Sequence, residues 1–511
     1  MGLFQTNKLS AATLLNTFVL APWLFQMRTF EMLLITVNVL LLGWLIFARN
    51  KSQRGLLVGF GISILFMVTH GLVEGLRWPM IPVYLITLFP VVSVALRHIF
   101  KPKGQKQNAP RRIRIILVTT LAALYSFIAV VLPILFPIFS FEKPTGPYKI
   151  GTVSYHWVDN MREEHFTKAP DDKRELMVQI WYPASSTTKG KTAPYVSHPD
   201  IFANGYSKAL NMPKLLFTSI GFVKTHAIEE AELSDKESTY PVLLFSHGLN
   251  GVKNQNTFEV EQLASHGYIV VGIDHTYHST TSVFPDGRVV HFVPQESNTI
   301  DYLDKLNEKW VEDATFVLNQ VEKLAKNDPD HRFTDRMDMQ NVGMFGHSFG
   351  GATSTQMLMT DSRIKAAINM DGGLYGKLRI PADGLKKPFL LMSADDTLTG
   401  TENMSDEYIA SQGTTRAELT KSFSDTFARQ ESVTVGGNYW MKIKYMKHMG
   451  FSDMYLISPV FERMEGVDVR SAHRLINDYS LDFFDHYLKQ QPFERMEQNI
   501  GDHPEFTLQR G

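Results

Sequence analysis

The chain has 511 residues, with 51 Lys and Arg against 52 Asp and Glu and no cysteine. A formal charge of −1 gives no overall basic surface for nucleic acid, and the lack of thiols excludes disulfides and thiolate metal sites. The balance hides an asymmetry: residues 1–140 hold 13 basic against 2 acidic residues, and residues 141–511 hold 38 against 50.

The basic front part is also the apolar part. Residues 31–47, 55–73, 78–96 and 115–139 are mostly apolar and each long enough for a bilayer-crossing helix. Four transmembrane helices are expected over residues 1–140, or five if residues 9–25 also cross; Asn16 and Pro22 in that segment equally suit a helix lying in the interface. Arg49, Lys51 and Arg54 fill the first loop, and Arg97, Lys101, Lys103, Lys106, Arg111, Arg112 and Arg114 the third, which places both in the cytoplasm. The loop between them has only Glu74 and Arg77, so the chain leaves the fourth span on the outer face. A multi-pass protein of the cell membrane is expected, with residues 141–511 forming an extracytoplasmic domain. His70 and Glu74 lie one turn apart in the second span, but Glu74 and Arg77 fit the interfacial end of that helix better than a proton path.

In the acidic part, residues 198–236 interrupt the alternation of strands and helices and include an apolar stretch, Leu215 to Phe222, able to cap a pocket or to pack as a plain helix. Tyr240 to Phe245 reads as a buried strand, followed by Ser246-His247-Gly248-Leu249. A strand ending in His-Gly offers a backbone N–H, here that of Leu249, to a developing oxyanion. His247, upstream of any nucleophile, suits a hydrogen bond that braces the loop. Asp274-His275-Thr276-Tyr277-His278 follows another strand; it lacks the convergent ligands of a zinc site and is expected to line the mouth of the site.

Asn341 to Phe345 is apolar, and it leads into Gly346-His347-Ser348-Phe349-Gly350 and a helix-forming stretch. Strand, G-x-S-x-G and helix make a nucleophile elbow, the signature of an α/β-hydrolase fold, with Ser348 as nucleophile and the N–H of Phe349 as a second oxyanion donor. The glycines are needed because a side chain two residues from the serine would meet the neighbouring strand or helix.

A serine nucleophile needs a base and an acid, in the order Ser, Asp or Glu, His. Ile364 to Met370 reads as the next strand and ends at Asp371; Pro388 to Ser393 is another and ends near Asp395 and Asp396. Asp371 is preferred, although spacing alone leaves the later pair open. A polar, helix-capable segment covers about 398–432. Four histidines lie beyond both acids: His448, His473, His486 and His503. His448 sits on a polar loop with Gly450, where a mobile base can reach Ser348, whereas His486 falls in an amphipathic terminal helix.

With these residues in place, the chain from about 145 onward resembles the platelet-activating factor acetylhydrolase family, the lipoprotein-associated, calcium-independent phospholipases. The likeness is carried by Gly146-Pro147-Tyr148-Lys149-Ile150-Gly151, Gln179-Ile180-Trp181-Tyr182-Pro183, Phe245 to Leu249, Leu263 to Val270 and Gly346 to Thr353, in the same order. The resemblance implies that the acid is Asp371, not Asp395 or Asp396, and that the histidine is His448, in a His-x-x-Phe-x-Asp setting with Phe451 and Asp453. It implies a Ser348–His448–Asp371 triad acting on a phospholipid with a short or oxidised acyl chain, without metal or other cofactor. The polytopic front part departs from the family's circulating and cytosolic members. The same machinery would serve polyester, xenobiotic or envelope esters, or an acyltransferase; a non-enzymatic membrane sensor would not need all five residues. Oligomeric state is not readable.

Overall fold

The structure, a computed structural model, describes residues 27–48, 52–89, 111–398, 401, 404–411, 415–430 and 432–511. The segment 9–25 lies outside the described residues. The chain divides into two compact units: one contains Ser140–Leu456 and Phe461–Gly511, the other the described part of Asn7–Phe139 with Ile457–Val460.

The smaller unit is helical. Thr29–Phe47, Arg54–Val73 and Ile116–Leu135 are long and apolar enough to cross a membrane. Of the expected span 78–96, the described part is the shorter helix Trp78–Phe89, and residues 90–96 lie outside the described residues. The last helix stops at Leu135 rather than 139, with Pro133 inside it and Pro137 just beyond; a proline lacks the N–H that would continue the ladder. Polar groups within this apolar unit find one another. Asn38 donates to Thr87 Oγ1 at 2.9 Å and accepts from Ser63 Oγ at 2.8 Å, and Arg77 Nη2 donates to Glu31 at 2.7 Å. Unpaired, each would be costly away from water.

The larger unit has the strands β1 (Lys149–Glu163), β2 (Lys173–Ala184), β3 (Thr192–Pro194), β4 (Lys224–Glu229), β5 (Tyr240–Ser246), β6 (Ile269–Asp274), β7 (Thr281–Val283), β8 (Val289–His291), β9 (Met337–His347), β10 (Ile364–Met370), β11 (Phe389–Ala394), β12 (Tyr439–Ile443), β13 (Gly501–Asp502) and β14 (Phe506–Arg510). Twelve form one sheet in the order β13-β14-β12-β11-β10-β9-β5-β6-β2-β1-β4-β3, and β7 and β8 form a separate hairpin. From β6 through β5, β9, β10 and β11 to β12 every pairing is parallel. Strands covered on both faces need apolar runs rather than alternation, and Val242, Leu243, Leu244 and Phe245 are all fully buried. Helices Thr257–Ser265, Ile300–Lys326, Phe349–Thr360 and Val469–Lys489 complete the core.

The register of the central strands positions the site. Ser246 is level with Gly346, and His347 with Met370, so β5, β9 and β10 end together. The loops that leave their carboxyl ends therefore gather at one edge of the sheet, the usual ligand position in such folds. Residues 198–236 prove to be a packed excursion, with helix Pro199–Leu210, the 3₁₀ segment Lys214–Phe222 and β4, which returns to pair with β1. Phe217 and Ile220 from its apolar stretch are buried.

Candidate active site

Ser348 follows β9 directly, with φ +57° and ψ −120°. That left-handed backbone costs a non-glycine residue about 1–3 kcal/mol and persists only where the surroundings enforce it. Here the Ser348 N–H donates to the Met370 carbonyl at 2.8 Å, and the flanking glycines permit the turn. A Cβ on Gly350 would lie 2.0 Å from the Ser246 carbonyl oxygen, and one on Gly346 2.4 Å from the Gly350 carbonyl.

His448 follows β12, at the start of a 3₁₀ turn, His448–Phe451. Its Nε2 lies 2.9 Å from Ser348 Oγ and its Nδ1 2.6 Å from Asp371 Oδ2. The carboxylate can only accept, so the ring proton sits on Nδ1 and Nε2 is free to take the serine proton. Asp371 also accepts from Ala394 N at 2.9 Å and Thr397 Oγ1 at 2.7 Å, which fixes both of its oxygens. The Asp371 side chain is 1% exposed and that of His448 40%. Burial works to lower the His448 pKa, but the hydrogen bond and charge of Asp371, with Asp396 adding, hold it above its ordinary value.

The other candidates go elsewhere. Asp395 accepts from the Tyr445 N–H at 3.3 Å, and Asp396 lies 3.8 Å from Lys447 Nζ. Burial, then the neighbouring Asp371 charge, raises the Asp396 pKa. His473 stacks on Phe258 at 3.6 Å, His486 bonds the Gln491 carbonyl, and His503 that of Asn499. Asp453 caps the helix Thr257–Ser265, accepting from Thr257 N at 2.8 Å and Phe258 N at 3.3 Å.

The segment after β5 lies against the elbow: a Cβ on Gly248 would be 3.2 Å from Ser348 Cβ. Among the described residues, neither the Leu249 nor the Phe349 N–H has a hydrogen-bond partner. Their side chains share one apolar cluster with Leu303, Leu306 and Trp310, edged by Tyr302 and Tyr375. His247 is buried and bonds the Gly248 carbonyl through Nδ1 at 2.6 Å, a bracing contact of the kind expected.

The expectation for residues 274–278 needs correcting, because this segment does not simply line the mouth. His275 is fully buried and bonded to Ser246 Oγ and Asp313, both at 2.9 Å. Asp274 pairs with Lys253 at 2.8 Å, and His278 accepts from Trp310 Nε1 at 2.9 Å. The fully buried Asp313 draws the segment inward. The signal lay in helix Ile300–Lys326, where an acidic residue occupies the apolar face beside Trp310, Ala314 and Val317. Thr397 and Gln255, which touch the site, carried no such signal. The described residues contain one group with metal-ligand spacing, Glu31, His70 and Glu74 in the helical unit. Glu31 is already engaged by Arg77 and Arg28, whose charges oppose a cation there.

A model of the family described as platelet-activating factor acetylhydrolase, isoform II, matches residues 136–327 and 309–505. The chain belongs to this family. A probable 1-alkyl-2-acetylglycerophosphocholine esterase of Arthroderma benhamiae is 34% identical over 260 residues, 49% of this chain and 63% of the relative. The platelet-activating factor acetylhydrolase of Canis lupus familiaris is 29% identical over 228 residues, 38% of this chain and 49% of the relative. These matches span less than two thirds of either relative. The ferulic acid esterase from Streptomyces cinnamoneus superposes with a TM-score of 0.57 and 27% identity, covering 73% of this chain and 99% of that one. The platelet-activating factor acetylhydrolase match and the esterase neighbour agree with the mixed sheet and its elbow on an α/β-hydrolase fold.

Proposed function

We propose that the chain is a membrane-tethered serine carboxylic ester hydrolase, with residues 1–140 as the membrane region and 141–511 as the catalytic domain. The observation that carries this reading is the hydrogen-bonded line from Ser348 Oγ through His448 to Asp371, at 2.9 and 2.6 Å. Ser348 Oγ attacks the ester carbonyl carbon while its proton passes to His448 Nε2. The tetrahedral oxyanion takes hydrogen bonds from the Leu249 and Phe349 N–H groups, each such donor being worth roughly 2.7–4 kcal/mol in the transition state. The carbon–oxygen bond to the alcohol breaks, and His448 returns the proton to that oxygen. Water then attacks the acyl-enzyme, giving its proton to His448, and collapse frees the acid and reprotonates Ser348. Asp371 holds the imidazole tautomer throughout. The route needs no metal.

A phospholipid with a short or oxidised acyl chain is the substrate class this reading favours. The names of the two relatives support it, as does the apolar cluster around the oxyanion donors. A second reading, an aromatic or polymeric ester, draws on the ferulic acid esterase neighbour and on Tyr302 and Tyr375 at the cluster edge. Turnover of the purified full chain on acetyl and long-acyl phospholipids, p-nitrophenyl esters and aryl acid esters ranks the two. A chain that hydrolyses none of these while resisting fluorophosphonate labelling refutes both. Added alcohols that divert the acyl group from water would indicate a transferase.

The charge pattern of the front part supports an extracytoplasmic catalytic domain in the cell membrane. Protease added to intact cells should degrade residues 145–511; full protection would overturn this orientation.

A further inference from the structure

Gln255 is nearly buried just beyond the oxyanion segment, and its amide touches two parts of the site at once. Its Oε1 accepts from the Gly248 N–H at 3.2 Å, and its Nε2 lies 2.7 Å from His347 Nδ1. His347, 1% exposed, lies 2.9 Å through Nε2 from the backbone carbonyl of His448.

The direction of each bond in this line is determined. A backbone N–H can only donate, so the atom facing Gly248 is the amide oxygen, and the Gln255 NH₂ faces His347. An NH₂ group can only donate, so His347 Nδ1 accepts and the ring proton sits on Nε2. That proton is donated to the His448 carbonyl, the one partner there that can only accept. The packing around Gln255 is close: a Cβ on Gly251 would fall 2.0 Å from Gln255 Oε1. His448 opens a 3₁₀ turn after β12 and lies outside the sheet.

We infer that Gln255 and His347 form a one-way hydrogen-bond relay that fixes the loop bearing the base His448 against the loop bearing the oxyanion donor Leu249. Gln255 and His347 are positioning residues, because neither needs to touch substrate. The relay sets the distance between proton acceptor and oxyanion donor, two elements that come from strands far apart in sequence, β12 and β5. The oxyanion donor and the base act together only in the transition state, so the relay acts on kcat rather than on binding. This inference rests on the triad reading above.

The test compares Gln255→Met, which keeps the volume and removes both bonds, with His347→Asn and the double variant, on p-nitrophenyl acetate with the full chain. Each single variant should lose on the order of a hundred-fold in kcat with KM held to within roughly threefold. Because both break one line, the double variant should be no slower than the slower single one. A Gln255→Met enzyme with kcat near the parent value, or losses that multiply in the double variant, overturns the relay. Should Gln255→Met fail to fold, imidazole nitrogen NMR on the unaltered chain decides: His347 must carry its proton on Nε2, and an Nδ1 proton refutes the relay. Ser348→Ala keeps the two readings separate. An inactive Ser348→Ala beside fully active Gln255 and His347 variants leaves the triad standing and removes only the relay.

Discussion

Two serine–histidine–aspartate lines lie a strand apart in this molecule. In Ser348–His448–Asp371 the distances are 2.9 and 2.6 Å, and in Ser246–His275–Asp313 they are 2.9 and 2.9 Å. Residue types, order along the hydrogen bonds and ring tautomer are the same, although the chain order is Ser, Asp, His in the first and Ser, His, Asp in the second. The settings differ. Ser348 stands on a strained elbow beside two unengaged N–H groups, and its histidine is 40% exposed. Ser246 ends the extended strand β5, all three of its members are fully buried, and Arg174 clamps Asp313 through two bonds of 3.0 and 2.7 Å. Burial pushes His275 below its ordinary pKa despite Asp313, whereas His448 is held above its own. On the proposed mechanism it is access, backbone strain and oxyanion donors, and not three side chains in a row, that set Ser348 apart.

The comparison breaks first at the serines. Ser348→Ala should lose on the order of a million-fold in turnover, together with all fluorophosphonate labelling. In the parent enzyme Ser246 should take no label at all. Peptide mapping of the labelled chain checks both, and a label on Ser246 would show that the buried line is reactive.

At the acids the two lines should fail in opposite ways. Asp371→Asn should lower turnover by roughly ten-thousand-fold through the wrong imidazole tautomer, with the melting temperature little changed. Asp395→Asn and Asp396→Asn should be mild. Asp313→Asn leaves the buried Arg174 charge with Glu164, at 2.9 Å, to balance it in place of two carboxylates, and breaking that buried pair should destabilise by about 3–5 kcal/mol, while the protein that stays folded turns over near normally. Melting curves beside initial rates separate these outcomes. If Asp371→Asn melts early and keeps its rate, the roles of the two lines are interchanged.

Legibility in the sequence followed the same division. The elbow, the acid-bearing strand and the histidine loop each left a local pattern, because strand period, glycine sterics and chain order constrain neighbours. The choice between Asp371 and Asp395 or Asp396 was open to spacing, since β10 and β11 are adjacent parallel strands whose carboxyl ends lie side by side. The His275 line was invisible, because its partners Arg174 and Asp313 come from β2 and a distant helix and meet only once the sheet has formed. The relay through Gln255 was hidden for the same reason. In the helical unit, length and hydropathy marked four spans, three of which are helices long enough to cross among the described residues, while hydrogen bonds such as that between Asn38 and Thr87 needed the packed helices.

Acidity gives a smaller effect with a definite sign. In the proposed mechanism His448 must be neutral to take the serine proton, and Asp371 raises its pKa, so the acid limb of kcat/KM should have its midpoint above the ordinary imidazole value of about 6.5. With the charge removed in Asp371→Asn, burial dominates and the residual activity should have its limb at lower pH. Stability moves the other way. A histidine whose folded-state pKa is raised adds stability that is full below the unfolded value and is lost as pH rises through the folded one. Activity and this part of the stability should therefore cross as pH rises past neutrality. A limb that does not move in Asp371→Asn would mean that another group sets it.

The smallest effect should come from Ser246→Ala. The Ser246 hydroxyl donates to His275 Nε2, so its loss leaves one buried ring nitrogen without that donor, worth about 1–3 kcal/mol. His275 would still be held by Asp313 and by stacking on Trp310 at 3.8 Å, so the ring should stay in place. The carbonyl of Ser246, which packs on Gly350, belongs to the backbone and is unchanged. Labelling and turnover at Ser348 should accordingly match the parent at 25 °C, with only the melting temperature lowered. A large loss of turnover at unchanged stability would mean that the buried line communicates with the elbow chemically, and the two lines would have to be treated as one network.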